Sequence, residues 1–335
     1  MSSNVKKILV TGGAGCIGVP VCNELVRRKK EVILYDLSEQ INLTRPYLNK
    51  NIKLFSGSIM DKTSLRDAIK ECDGVIHLAA HLGVQRTEKN KLRCLEINIE
   101  GTKNLLDLIA NNKNIKKIVF ASSSEVYGEP IKNPIEETDI TQGKTLYAVS
   151  KLAGEELVKA YQYEYKSFNF SILRYFNTYG PFQVAQFVIP KFIFRVQRNL
   201  PPIINGDGSQ ERSYNFSQDT ALATVDALFS SKSNNKILNI GNSSEPINLI
   251  DLANLIIKKC GKENKIFPSM NKNFSNTDRK DSREINYRYC DTSLAERILD
   301  YKVRTKLEKG IEKVIETNVI PETWNTSEKD YLIDT

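Results

Sequence analysis

The sequence predicts an α/β fold in which helices cover both faces of a mostly parallel sheet. Short apolar runs recur along the chain, and amphipathic patterns such as KNLLDLIANN (103–112) and LAGEELVKAYQYEY (152–165) lie between them. This alternation is typical of a doubly wound parallel sheet. The predicted strands are KILV (7–10), VILY (32–35), IKLF (52–55), VIHL (75–78), KIVFA (117–121), FSILR (170–174) and ILNI (237–240).

The first predicted strand leads into a glycine-rich turn, TGGAGCIG (11–18). Gly12 permits the tight turn, Gly15 lets the backbone approach a pyrophosphate, and Gly18 lets the next helix pack closely. The second strand ends at Asp36, whose carboxylate can accept hydrogen bonds from ribose hydroxyls and would repel a 2′-phosphate. This unit predicts a Rossmann-type domain that binds NAD rather than NADP.

The character of the chain changes after residue 180, where turn-forming stretches such as NLPPI (199–203) and NGDGSQ (205–210) appear. We expect an NAD-binding domain over residues 1–178 and a smaller C-terminal substrate-binding lobe over residues 179–335. A stretch at about 220–242 is expected to return and complete the sheet, so that the two parts interleave. The cleft between them is the predicted substrate site.

Composition excludes several other classes of protein. The chain is 40% hydrophobic and 26% charged, has no run near the ~18 apolar residues of a membrane helix, and begins without a signal-peptide core. We therefore expect a cytoplasmic protein with no membrane partner. The net charge of +8 is spread along the chain, which favours a small anionic substrate over nucleic acid. Six scattered cysteines and two histidines predict reduced thiols and no metal site.

Two segments carry candidate chemistry. SSSE (122–125) directly follows a predicted buried strand, and strand ends are where α/β enzymes place functional groups. Tyr147 and Lys151 are spaced i, i+4 at the start of a predicted helix, which puts both side chains on one face. A nearby ammonium lowers the pKa of a phenol from ~10 toward working pH. Tyr147 is therefore predicted to take a proton from an alcohol while hydride leaves the same carbon for NAD.

These motifs together resemble the extended short-chain dehydrogenase/reductase family, in its nucleotide-sugar epimerase/dehydratase branch. The resemblance runs from residue 6 to about 316, with the motifs in the family's order. It implies an NAD-dependent enzyme that transiently oxidises the C4 hydroxyl of a nucleotide-sugar. The matching stretches are TGGAGCIG (11–18), HLAA (77–80), NIEGTKNLLD (98–107), SSSEVYG (122–128), YAVSK (147–151), LRYFNTYGP (173–181) and GDGSQERSYNFSQD (206–219).

The resemblance implies roles for the residues of the Rossmann-type part. Tyr147 is the base, Lys151 holds the nicotinamide ribose, and Ser123 bonds the sugar O4, with Ser124 and Glu125 beside it in the catalytic group. Ser58 stands where the family often has an aspartate on the adenine. The predicted cofactor contacts are Gly12, Gly15, Cys16, Ile17, Gly18, Asp36, Ser58, Ile59, Leu78, Ala79, Ala80, Asn98, Tyr147, Lys151 and Tyr175.

The resemblance places the substrate contacts mainly after residue 176. Asn177 is implied to bind the diphosphate region and Arg212 a phosphate, for which a fixed cationic fork is suited. One of Arg279, Arg283 and Arg288 is implied to join them, and we keep Arg283 and Arg288 as the candidates. A UDP-sugar is the favoured substrate. The resemblance also implies a homodimer through helices near 91–112 and 147–165.

Glu125 leaves the product open among three outcomes. A UDP-sugar 4-epimerase, which needs no further acid or base once the C4 ketone has formed, is the leading prediction. The pair Ser124–Glu125 resembles decarboxylases and some dehydratases, so a 4,6- or 5,6-dehydratase or a UDP-glucuronate decarboxylase using Glu125 is the alternative. Glu125 could instead only bond a neighbouring loop. A non-catalytic NAD- or RNA-binding protein of the same fold is the remote alternative, against which the intact Ser123, Tyr147 and Lys151 argue.

Overall fold

Seven parallel strands form one sheet in the positions that the apolar runs predict. The computed structural model describes residues 5–271 and 287–321, and each predicted run matches a strand of this sheet to within about two residues. The sheet order is β11-β6-β5-β4-β1-β2-β3, which confirms the doubly wound α/β fold. In chain order, the described strands are β1 (Lys7–Thr11), β2 (Glu31–Asp36), β3 (Lys53–Ser56), β4 (Gly74–His77), β5 (Lys117–Ser123), β6 (Asn169–Tyr175), β7 (Thr178–Tyr179), β8 (Ile203–Asn205), β9 (Glu211–Ser213), β10 (Asn215–Phe216), β11 (Lys236–Ile240), β12 (Pro246–Asn248), β13 (Ser269–Asn271) and β14 (Tyr287–Arg288).

Helices cover both faces of this sheet. One core layer includes α1 and α9, and the layer on the opposite face includes α3, α6 and α7. In chain order, the described helices are α1 (Gly18–Arg27), α2 (Ser38–Thr44), α3 (Lys62–Ile69), α4 (Val84–Lys89), α5 (Lys91–Leu95), α6 (Gly101–Ala110), α7 (Leu146–Tyr165), α8 (Val188–Gln197), α9 (Ser217–Phe229), α10 (Leu249–Lys259), α11 (Ser293–Leu299) and α12 (Leu307–Thr317).

The central strand β1 shows why the runs are apolar without alternation. Ile8, Leu9 and Val10 are all fully buried. Successive side chains of a strand point to opposite faces, so Ile8 and Val10 enter one core layer and Leu9 enters the other. A strand covered on both faces therefore needs a continuous apolar run rather than a half-polar one.

The order of the strands positions the site. The chain runs from β1 to β2 and β3 on one side, then crosses to β4, β5 and β6 on the other side. The crevice at such a reversal, outside the carboxyl ends of the strands, is where ligands bind in open α/β sheets. The glycine-rich turn follows β1, and Ser123 is the last residue of β5, so both predicted motifs lie at this edge.

A second, smaller core lies beside the sheet. It combines side chains of α8, α10 and α12, such as Phe192, Ile256 and Ile311, with Tyr179 and Phe216. A three-stranded sheet of order β12-β9-β14 belongs to the same half of the chain. Between these segments α9 and β11 return to the large sheet. The boundary at residue 178 stays a prediction.

Within residues 5–271 and 287–321, the helices are too short or too polar to span a membrane. The longest of the helices given above, α7, has 20 residues and carries several charged side chains. All six cysteines lie in the described ranges and are free thiols, four of them buried.

Lys117 is a buried amine at the end of the sheet opposite to the site. It is 1% exposed, and its Nζ donates to the carbonyl oxygen of Ser230 at 2.7 Å and to Oγ of Ser233 at 3.0 Å. Both acceptors are neutral, so burial lowers the pKa of Lys117 to about 7.

This burial predicts a pH dependence of stability. The unfolded chain keeps a lysine pKa of 10.5, so between pH 7 and pH 10.5 it binds more protons than the folded chain. The free energy of unfolding therefore rises with pH in that window, by up to about 1.4 kcal/mol per pH unit from this group. Lys117→Met should flatten the rise because it removes the titrating amine. The carbonyl of Ser230 then keeps the hydroxyl of Ser233 as a donor. Urea denaturation at several pH values tests this, with exposed Lys116→Met as the control; parallel curves for wild type and Lys117→Met would contradict it.

Candidate active site

The loop between β1 and α1 is tightly packed at Gly12 and Gly18 and open at Gly15. Gly12 has φ of +69°, and a Cβ there would lie 2.6 Å from the backbone nitrogen of Ala79. A Cβ on Gly18 would lie 2.2 Å from the carbonyl oxygen of Gly12, whereas a Cβ on Gly15 would meet only that oxygen, at 3.4 Å. Ile17 provides no side-chain cap for α1, so the N-terminus of this helix can bind an anion. The open space at Gly15 thus fits the pyrophosphate of NAD.

Asp36 lies beside this loop at the end of β2. Its Oδ2 accepts the backbone N–H of Ala14 at 2.9 Å, and Oδ1 accepts that of Leu37 at 2.8 Å. Burial raises the pKa of Asp36 to about 6, against the lowering effect of these two hydrogen bonds. Each carboxylate oxygen keeps a further lone pair, so the group can still accept ribose hydroxyls.

The end of β5 and the start of α7 bring the predicted catalytic side chains together. Thr145 caps α7 by accepting a backbone N–H on its hydroxyl. Lys151 is 4% exposed, and its Nζ donates to the carbonyl oxygen of Ala121 at 2.8 Å. The same Nζ lies 5.8 Å from the centre of the Tyr147 ring, and Ser123 lies close enough to the phenol to exert a lowering effect on its pKa.

The structure corrects the predicted effect of Lys151 on Tyr147. The sequence predicts a lowered phenol pKa, but burial raises the pKa of Tyr147 above its ordinary value and the charge of Glu125 raises it further. Burial also lowers the pKa of Lys151 to about 8. The prediction is wrong for the protein alone because desolvation of the phenol is the largest cause of its pKa shift.

Glu125 belongs to the same group. Its Oε2 accepts the hydroxyl of Thr145 at 3.2 Å, and its backbone N–H donates to Oγ of Ser123 at 3.2 Å. The contact with Thr145 is the loop contact that the sequence leaves open, and the charge of Glu125 also acts on the phenol of Tyr147. Ser124 differs from Ser123, since Ser124 is 2% exposed and Ser123 is only half-buried.

Sequence reasoning missed Thr145, which fixes both the helix and the carboxylate. Its hydroxyl accepts the backbone N–H of Ala148 at 3.1 Å and donates to Oε2 of Glu125. A threonine immediately before an amphipathic helix is a usual N-cap signal, so the residue could have been found. The signal for its bond to Glu125, 20 residues away, is absent from the local sequence.

Asn98 ties the cofactor side of the site to α7. It lies in a π-helical turn, Glu96–Glu100, a feature that is frequent at functional sites. Its Oδ1 accepts the backbone N–H of His81 at 2.7 Å, and its Nδ2 donates to the His81 carbonyl at 3.0 Å and to Oγ of Ser150 at 2.9 Å. The side chain is thus engaged within the protein, and its predicted cofactor contact stays a prediction.

The other predicted cofactor contacts divide by exposure. The side chains of Ile59 and Tyr175 are 5% and 8% exposed; Ile59 packs against Gly101, and the phenol of Tyr175 bonds Oγ1 of Thr224 at 2.8 Å. These two side chains belong to the core layers. Among the predicted cofactor contacts not described above, the half-buried ones are Cys16, Ile17, Ser58, Leu78, Ala79 and Ala80.

Two of the predicted substrate arginines are neighbours. Parallel pairing of β9 with β14 places Arg288 directly opposite Arg212, and both are half-buried. Asn177, which has φ of +40°, donates from Nδ2 to the carbonyl oxygen of Ser213 at 3.0 Å, beside the same strand. Arg279 and Arg283 lie outside the described residues.

Comparisons with known proteins agree with this geometry. Residues 9–314 match the family model described as GDP-mannose 4,6 dehydratase. The chain is 36% identical over 249 residues to a UDP-N-acetyl-alpha-D-glucosaminuronate decarboxylase of Bacillus cytotoxicus, which covers 72% of this chain and 76% of that protein.

Solved structures of similar proteins include two epimerases. The UDP-glucose 4-epimerase of Thermotoga maritima, solved with UDP-glucose, has a TM-score of 0.81 and 28% identity, covering 92% of this chain and 97% of that one. The UDP-glucuronic acid 4-epimerase of Bacillus cereus, solved with UDP-glucuronic acid and NAD, also has a TM-score of 0.81 and 28% identity, covering 93% and 99%.

Proposed function

We propose that this chain, which belongs to the GDP-mannose 4,6 dehydratase family of NAD-dependent nucleotide-sugar enzymes, is a UDP-sugar 4-epimerase. The reaction oxidises the C4 hydroxyl of the sugar to a ketone. The keto sugar then rotates in the site, and the hydride returns to the opposite face of the C4 ketone. UDP is favoured because the solved relatives described above hold UDP-glucose and UDP-glucuronic acid.

The group formed by Ser123, Tyr147 and Lys151 carries this proposal. The phenolate of Tyr147 takes the proton of the C4 hydroxyl, and the hydroxyl of Ser123, which lies near the same phenol, orients the oxygen. Lys151 supports the developing negative charge from one turn away on α7 and is placed to hold the nicotinamide ribose. When bound, oxidised NAD supplies the hydride acceptor and a positive charge that favours the phenolate.

The pair Arg212 and Arg288 supports a diphosphate substrate. Two guanidinium groups on adjacent strands can each donate paired hydrogen bonds to phosphate oxygens. Asn177 lies next to them through its bond to Ser213 and completes the proposed contact with the diphosphate. We therefore propose Arg288 as the arginine that joins Arg212, whereas Arg279 and Arg283 lie outside the described residues.

A decarboxylase or dehydratase is the second candidate, and Glu125 favours it. The carboxylate lies close enough to the phenol of Tyr147 to raise its pKa, so it is near the reacting carbon in this proposal. There it could remove the C5 proton, which a C4 ketone makes acidic. With a uronic acid the same ketone is β to the C6 carboxylate, which leaves as CO2, and the relative that is 36% identical is named as a decarboxylase of this kind.

We also propose a homodimer through α5, α6 and α7. Leu92, Val149 and Tyr163 are 76%, 44% and 76% exposed. Val149 and Tyr163 are about four turns apart on α7 and so share one side of it. Exposed apolar side chains on adjacent helices mark interaction surfaces. Light scattering should give twice the 38.0 kDa of one chain, and a mass of one chain would contradict the dimer.

Mass spectrometry of the reaction products tests the function. The purified protein is incubated separately with UDP-glucose, UDP-N-acetylglucosamine, UDP-glucuronate and GDP-mannose. We expect a UDP-sugar product of unchanged mass and shifted retention time, which defines an epimerase. Loss of water or of CO2 would replace the epimerase with the second candidate, and no product from any of the four would contradict both.

A further inference from the structure

A buried ion pair joins α7 to the ends of β5 and β6. Glu155 is fully buried and Arg174 is 4% exposed. Nε of Arg174 donates to Oε1 of Glu155 at 2.9 Å, and Nη2 donates to Oε2 at 2.8 Å, which makes a bidentate pair. Oε1 also accepts the hydroxyl of Ser122 at 2.5 Å. A buried ion pair is weak evidence for a gain in stability. The position of Glu155 and Arg174 in the fold therefore indicates what the pair does.

That place is directly behind the catalytic group. Lys151 bonds the carbonyl oxygen of Ala121, and Glu155, one turn later on α7, bonds the hydroxyl of Ser122. The next residue of β5 is Ser123. Two successive turns of α7 are therefore hydrogen-bonded to two successive residues of β5. These bonds fix the position of the helix along the strand and its rotation, close to Tyr147 and Ser123.

The helix can approach β5 this closely because of Gly154. A Cβ at that position would lie 2.4 Å from Cζ of Phe120. The ring of Phe120 in turn lies 5.3 Å from Nζ of Lys151. Glu155 follows Gly154 directly, so the close approach and the ion pair act at the same turn of α7.

Arg174 is itself held in one orientation. Its Nη1 donates to the carbonyl oxygen of Glu137 at 3.2 Å, and its guanidinium lies 4.7 Å from the centre of the Tyr127 ring. Tyr127 is anchored by a bond from its hydroxyl to Oδ1 of Asn239 at 2.7 Å. The carboxylate of Glu155 thus faces a rigid cation, not a mobile one.

The ion pair also acts on the charge of Lys151. The titratable groups that face Lys151 are Tyr147 and Glu155 on its own helix, Cys94 on α5 and His77 on β4. Burial lowers the pKa of Lys151 to about 8, and Cys94 and Glu155 raise it. Glu155 lies one turn after Lys151 on α7, so its carboxylate favours the charged form of that ammonium.

We propose that Glu155 and Arg174 are a positioning pair that holds α7 in register on β5 and keeps Lys151 cationic at neutral pH. The pair touches neither substrate nor cofactor and acts through Lys151, Tyr147 and Ser123. The inference rests on the proposed base role of Tyr147, and two of its measurements, described next, do not depend on turnover.

The test compares variants that remove charge with one that removes only geometry. Glu155→Gln should move the alkaline limb of the kcat profile to lower pH by about one unit or more, because Lys151 loses a nearby anion and the buried charge of Arg174 is left unbalanced. The double variant Glu155→Gln/Arg174→Gln should move it less. Arg174→Lys keeps the charge but not the fork, so kcat should fall at least about tenfold with the limb unmoved. Glu156→Gln, at an exposed carboxylate paired with Lys159, is the matched control and should change neither.

Two measurements work without turnover. NMR titration of the Lys151 ammonium, identified by its absence in Lys151→Met, should show the same order of pKa values, with Glu155→Gln lowest. Bound NAD per chain should stay near the wild-type value. If Glu155→Gln does not fold, the Lys151 pKa is measured in the double variant. A Lys151 pKa equal to that of the wild type in the double variant would then overturn the proposal. An unmoved limb in a folded Glu155→Gln would do the same. If the wild type converts no nucleotide-sugar, the proposed function fails while the titration still judges the pair.

Discussion

Replacing Tyr147 by phenylalanine is expected to lower turnover of the UDP-sugar by about 10²–10⁴-fold while NAD stays bound. The change removes only the hydroxyl, so the ring keeps its place beside Lys151. Two other tyrosines near these strand ends are engaged elsewhere, since the hydroxyl of Tyr127 bonds Asn239 and that of Tyr175 bonds Thr224. Initial rates over a range of UDP-sugar concentrations separate a loss of kcat from a rise of KM, and the proposal requires a loss of kcat.

The control for this variant is Tyr163→Phe on the same helix. Tyr163 is 76% exposed and belongs to the proposed dimer surface rather than to the catalytic group, so loss of its hydroxyl alone should leave turnover unchanged. Bound NAD, measured by absorbance after denaturation, should be equal in the wild type and both variants. Turnover of Tyr147→Phe within a factor of about three of the wild type would remove the phenol from the mechanism.

The local sequence was sufficient to predict those features of the fold and site whose physical cause lies within a few residues. The apolar runs predict the sheet because a strand covered on both faces has no polar side to show. The glycine spacing predicts the cofactor loop because Gly12 and Gly18 each sit where a Cβ would strike backbone. The strand end at Ser123 and the i, i+4 pair Tyr147 and Lys151 follow from the periods of strand and helix.

Long-range pairing was beyond the sequence. The sequence does not show that Arg288 lies opposite Arg212, which follows from the β9–β14 register. The motif around Asn98 predicts a cofactor contact, which stays a prediction, but it does not predict that the amide bonds His81 and Ser150.

The direction of the Tyr147 shift was missed for a related reason. Spacing alone indicates that Lys151 is near the phenol, but not how deeply the two groups are buried. Burial raises the pKa of Tyr147 and lowers the pKa of Lys151, so burial shifts both groups toward their neutral forms in the protein alone. Helical periodicity reports neighbours on a face, whereas desolvation depends on everything packed over it.

Replacing Glu125 by glutamine separates the two candidate functions by the size of its effect. In an epimerase the carboxylate takes no part in proton transfer, so turnover should change by less than about tenfold. In a dehydratase or decarboxylase that uses Glu125 as a base or acid, turnover should fall by about 10²–10⁴-fold. We expect the first result. The glutamine can still accept the hydroxyl of Thr145, which now bonds Oε2, so the cap of α7 is preserved.

The charge change also predicts a shift of the pH profile in the epimerase. The Glu125 charge raises the pKa of Tyr147, so its loss should lower that pKa and move the acid limb of kcat to lower pH. Glu129→Gln, at a carboxylate paired with Lys144 and 45% exposed, is the matched control and should leave the limb in place. Because the acid limb reports the phenol whatever the product, its shift shows that Glu125 lies beside the base. The size of the loss in turnover then decides whether the carboxylate only tunes Tyr147 or transfers a proton itself.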